Sequence, residues 1–109
     1  MSESEHVWRA VARVDEVMAG VVLEVAVGNK RVILVRVDGE VVAYQGTCPH
    51  QFARLGRGTI ADGWLHCPHH RAKFQLTDGT CGPGWDLPAL QRHDLRINDG
   101  AVHLQDPLE

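Results

Sequence analysis

The feature that most restricts this 109-residue chain is a pair of short runs: Cys48-Pro49-His50 and, after sixteen intervening residues, Cys67-Pro68-His69-His70. Each run offers a thiolate and an imidazole from one tight loop. That donor set suits iron and zinc alike, so residue type alone does not choose the metal. Arrangement says more. Zinc fingers pair cysteine with cysteine on one loop and histidine with histidine on a helix, whereas each run here mixes the two. Either tripeptide alone reads most simply as a surface turn with a solvated histidine. Both together, at this spacing and between β segments, favour a metal site. On the residues alone the second imidazole stays open: Cys67-x-His69 copies the first loop, and Cys67-x-x-His70 does not.

The chain around the two runs reads as β. Val7–Arg13 alternates and predicts a first strand; a short turn or helical piece follows over Asp15–Ala19. Val21–Val27 and Arg31–Val37 are β-branched runs separated by Gly28-Asn29-Lys30. Asp38-Gly39, set before Val41–Tyr44, is a hairpin signal, because both central residues of such a turn need positive φ. The middle, 46–84, is rich in Gly, Pro, Cys and His and offers only short strands: Thr59–Ala61, Trp64–His66 and Lys73–Leu76. The end returns to β with Gln91–Ile97, a turn at Asn98-Asp99-Gly100, and Ala101–Leu104. The pattern predicts a small antiparallel β scaffold carrying an inserted segment of loops that holds the chemistry.

Composition excludes several classes. A net charge of −3 does not suit a nucleic-acid-binding domain. No apolar run reaches the length of a membrane span, and the polar start Met1–Glu5 precedes no apolar signal region. A soluble, cytoplasmic protein without membrane attachment is the expectation. Three cysteines make a poor disulfide framework and in a reducing compartment read as thiols or metal ligands. Gly56-Arg57-Gly58 lacks the lysine and helix start of a phosphate-binding loop, and no nucleophile–base–acid set stands out.

The mixed ligand pattern resembles the Rieske-type [2Fe–2S] ferredoxins, in which two cysteines bind one iron and two histidines the other. The resemblance covers nearly the whole chain: the strands before Cys48, Thr47–Gln51, Cys67–Phe74, a proline-containing third loop at Thr80–Gly84, and the ending Leu95–Leu104. It implies an all-β fold, a Rieske-like antiparallel β-sandwich with an inserted two-loop cluster-binding subdomain. It implies one domain over 1–109, with scaffold 1–45 and 85–109 and cluster-binding segment 46–84. It implies a single [2Fe–2S] cluster on Cys48, His50, Cys67 and His70; the family spacing and Phe74 favour His70 over His69. The implied function is a small electron carrier, a component of a multicomponent oxygenase system and not itself an enzyme. It would take single electrons from a flavin- and NAD(P)H-dependent ferredoxin reductase and pass them to a terminal oxygenase or hydroxylase, as in ring-hydroxylating dioxygenase and toluene-type monooxygenase systems. The small subunit of an assimilatory nitrite reductase, which shares fold and length, is the alternative; a structural zinc module is a third.

Departures from the high-potential members of the family carry further expectations. Ala53 and His69 stand where those proteins join their loops by a disulfide, so that bond is absent here. Ala72 and Phe74 replace a serine and a tyrosine whose hydroxyls donate to the cluster. Losing those hydrogen bonds lowers the potential, toward roughly −150 mV. Gln51, Phe52, Arg71, Pro83 and Trp85 are candidates for the rim, Trp64 for the core, and Cys81 for a small buried residue of the third loop.

Overall fold

The computed structural model describes residues 7–49, 53–68, 72–84 and 86–108. Among the described residues ten strands and two 3₁₀ turns follow one another. The strands are β1 (Val7–Arg13), β2 (Leu23–Val27), β3 (Lys30–Val37), β4 (Glu40–Gln45), β5 (Thr59–Ala61), β6 (Trp64–His66), β7 (Lys73–Gln75), β8 (Arg92–His93), β9 (Leu95–Asn98) and β10 (Ala101–Asp106). The turns are Val14–Glu16 and Leu55–Arg57. Three sheets result, in the orders β1-β10-β9, β2-β3-β4-β8 and β5-β6-β7, and every pairing is antiparallel. The all-β, antiparallel expectation holds.

The hairpins form where the two-residue turns allow. Asp38 and Gly39 have φ of 51° and 83°, Asp62 and Gly63 55° and 81°, Asp99 and Gly100 55° and 75°. Positive φ at both central positions gives the turn a twist that matches the strands it joins. The short turn or helical piece expected over Asp15–Ala19 is a 3₁₀ turn set slightly earlier, at Val14–Glu16, with Val17 buried behind it. One expectation needs correction. The run Gln91–Ile97 is not one strand: it breaks at Asp94, so that β8 pairs with β4 and β9 with β10. A strand that changes sheets makes the corner of a sandwich, and period-2 patterning carries no mark of it.

The four-stranded sheet lies between two apolar cores. Val32 and Leu34 of β3, with Val41 and Ala43 of β4, pack on Val102 and Leu104 of β10. Ile33 and Val35, with Val42 and Tyr44, face the other way, toward Cys48, Leu55, Leu65, Cys67 and Phe74. Val32, Ile33, Leu34 and Val35 are all fully buried. Each such side chain contributes about 1.5–3 kcal/mol of transfer free energy, which makes β3 the spine from which the site is hung.

Candidate metal centre

The first cysteine loop leaves the end of β4. Cys48 is fully buried, and its N–H donates to the Ala53 carbonyl at 2.8 Å. Around it Thr47 and Arg54 form an isolated bridge, and the Leu55 N–H donates to the Gly46 carbonyl at 2.9 Å. The second loop leaves β6 and returns in β7. Cys67, 5% exposed, donates its N–H to the Ala72 carbonyl at 3.0 Å. The two loops are therefore closed in the same way: a cysteine amide meets the carbonyl of an alanine five residues later. Alanine suits that place because Ala53 and Ala72 are themselves buried beside the cysteines.

Both cysteines belong to one hydrophobic cluster with Leu55, Leu65, Phe74 and Leu90. His50 and His70, expected as the imidazole donors, lie outside the described residues, as do His69, Gln51, Phe52, Arg71 and Trp85. Among the described residues no group of three or more His, Cys, Asp or Glu side chains is placed to hold a metal. The part of the site that is described fits an iron–sulfur cluster. Two soft sulfur donors sit on matched loops, in thiol rather than disulfide form, inside an apolar shell that keeps water away.

A third loop flanks them. Cys81 bridges Phe74, Gln75 N–H donates to Thr80 and Gly82 N–H to Lys73, so the loop runs beside β7 like a further short strand. Asp78 fixes its start: the carboxylate accepts the Thr80 N–H at 3.0 Å and the Thr80 hydroxyl at 2.8 Å. Those two bonds hold the Asp78 carboxyl below its ordinary range. Cys81 is half-buried and packs against the cysteine-bearing cluster, and Pro83 is exposed. Ala72 and Phe74 are fully buried. Trp64 is not core: it is half-buried, with Lys73 Nζ 4.4 Å above its ring. Neighbours in a strand point to opposite faces, and Leu65 takes the inward one.

Two anchors of the site have no signal in the sequence. The Tyr44 hydroxyl donates to the Leu76 carbonyl at 2.7 Å across 32 residues. Glu24 of β2 holds Arg54, beside the first loop, at 2.8 Å. Such polar pairs form between distant segments, and no local spacing announces them.

Comparison with known proteins agrees with this geometry. The family described as "Rieske [2Fe-2S] domain" matches residues 7–94. Apoptosis-inducing factor 3 of Homo sapiens is 31% identical over 104 residues, which is 95% of this chain and 17% of that protein. The chain thus spans about a sixth of that relative's length. The ferredoxin component of the alkene monooxygenase system of Xanthobacter autotrophicus is 34% identical over 93 residues, 84% of this chain and 75% of the relative. Among solved structures, the Sphingomonas yanoikuyae B1 ferredoxin superposes with a TM-score of 0.83 at 24% identity, covering 93% of this chain and 100% of that one.

Proposed function

The chain belongs to the Rieske [2Fe–2S] domain family, and from that premise we propose that it is an electron carrier whose single cluster is held by Cys48, His50, Cys67 and His70. The whole chain acts as one domain, with scaffold 1–45 and 85–109 presenting the cluster-binding segment 46–84. The observation that carries the reading is the pair of buried cysteines on two loops closed by the same hydrogen bond within one apolar cluster.

When bound, the cluster takes up and returns one electron. The chain's residues supply the conditions. Cys48 and Cys67 provide anionic sulfur, and His50 and His70 provide neutral nitrogen. The smaller negative charge of that set keeps the potential above that of all-cysteine plant-type clusters. Ala72 and Phe74 offer no hydroxyl, so no side-chain donor at those positions stabilises the added electron, and the potential stays near the low end of the Rieske range, roughly −150 mV. Leu55, Leu65 and Phe74 exclude water from the cysteine side.

The electron comes from a flavin- and NAD(P)H-dependent reductase and goes to a terminal oxygenase or hydroxylase, which carries out the hydroxylation. The ferredoxin component of the alkene monooxygenase system supports this assignment. Among the described residues no helix is long and apolar enough to cross a membrane; the cytoplasm, beside such a reductase, is the proposed place of work.

The test is an electron paramagnetic resonance spectrum of the dithionite-reduced protein, with iron and zinc quantified on the same sample. The expected result is a Rieske signal, with average g well below the free-electron value, and two irons per chain. Cys67→Ser and His70→Ala should each abolish it. A silent spectrum from anaerobically prepared protein containing zinc would overturn the proposal.

A further inference from the structure

The two cysteine loops are closed alike but anchored differently. The second is carried by a hairpin: its flanks His66 and Lys73 are register partners in the β6–β7 pair. The first has a strand on one side only. After Ala53 the chain enters the 3₁₀ turn Leu55–Arg57, and its flanks Thr47 and Arg54 meet in a single bridge.

A charge triad stands where the second strand is missing. One oxygen of Glu24 accepts from Arg54 Nη2 at 2.8 Å, and the other accepts from Arg31 Nε at 2.8 Å. The Glu24 side chain is only 20% exposed, and it joins β2, β3 and the segment after the first loop. The approach is close enough to exclude a side chain at Gly56, where a Cβ would lie 2.6 Å from Glu24 Oε1 and 2.8 Å from Glu24 Cβ. Arg54 Nε is buried with no partner among the described residues. An N–H left that way opposes burial, so the guanidinium is kept in place by its bond to the carboxylate.

We propose that Glu24 is a positioning residue for the cluster. It fixes Arg54, and through the adjoining Ala53, whose carbonyl takes the Cys48 N–H, it fixes the two described ends of the first loop. The inference rests on the reading that the loops hold the cluster. On that reading Cys48 and His50 would both hold the cluster from the first loop, so slack there would loosen two of its four ligands at once.

The test is hydrogen–deuterium exchange of the iron-loaded protein, read by mass spectrometry for segments 46–55 and 65–74. In Glu24→Gln, segment 46–55 should exchange about tenfold faster, equivalent to ~1.4 kcal/mol, while 65–74 is unchanged. Bleaching of the cluster's visible absorbance should accelerate with it. Arg54→Met should reproduce both effects, and the double variant should add little to either single one, because both remove the same contact. Equal acceleration of the two segments, as a general loss of stability would give, or no acceleration of 46–55, overturns the proposal. Iron content and the resonance signal of the wild type decide the cluster reading separately. The contrast between segments decides the anchor even in a chain that binds another metal.

Discussion

Tyr44 ties the central sheet to the chain that follows the second cysteine loop through one oxygen. It is fully buried, and its hydroxyl is the donor to Leu76, just past β7. Tyr44→Phe leaves that carbonyl without its donor in an apolar setting, a cost of about 1–3 kcal/mol. For a domain of this size the melting temperature should fall by roughly 4–8 °C per kcal/mol, as calorimetry can check. Burial also raises the phenol's pKa above its ordinary 10.0, against a smaller opposing effect from Arg92. The folded state then holds the proton more tightly than the unfolded chain. The contribution is complete below pH 10.0 and is lost as pH rises through the folded value. Melting temperature should drop on that alkaline limb, less steeply in Tyr44→Phe. His93 has the opposite slope. Burial, followed by the charge of Lys30, lowers its pKa below 6.5. The unfolded chain takes the proton first, so stability is complete above pH 6.5 and is lost as pH falls toward the folded value. His93→Gln should flatten the acid limb of a melting-temperature profile. None of these long-range roles could be read from the sequence, since Tyr44 and Leu76 stand 32 positions apart. The cysteine pair and the Asp38-Gly39 turn could, because each works through its immediate neighbours.

At the level of elements, the two cysteine loops meet at Gly58. This residue ends the 3₁₀ turn that follows the first loop, and a Cβ there would lie 2.3 Å from the carbonyl oxygen of His66, one residue before Cys67. Gly58→Ala should push the first loop's exit away from β6 and destabilise the protein by about 1–3 kcal/mol, as overpacking does. Urea denaturation would measure it, and an unchanged midpoint would show that the contact yields freely. The strand runs, the turns between them and the loop-bearing middle were legible because hydrophobic alternation and Asp-Gly pairs are local signals. The break between β8 and β9 was not. Whether Asp94 continues one strand or turns the chain into another sheet depends on where β4 and β10 lie, and neither position is written in residues 91–97.

Across the molecule, the two cores divide the work. The core between the larger sheets contains no cysteine, whereas the other contains Cys48 and Cys67. Removing iron with a chelator under reducing conditions should therefore raise hydrogen exchange over 53–76 while leaving β1, β9 and β10 protected. Uniform exposure would mean that the scaffold depends on the metal as well.

The two-sided burial of β3 and β4 has a further consequence. Val32–Val35 and Val41–Tyr44 are apolar without interruption, so neither strand carries in its own letters which residue belongs to which core. That information resides in the turn between them, whose two positive-φ residues act as a start signal and set the reading frame of both strands. One residue added beside Gly39 would be a frameshift in three dimensions. In β4, Ala43 and Tyr44 would exchange cores, every apolar side chain would still find an apolar neighbour, and the strand would deliver Cys48 to the wrong side of the sheet.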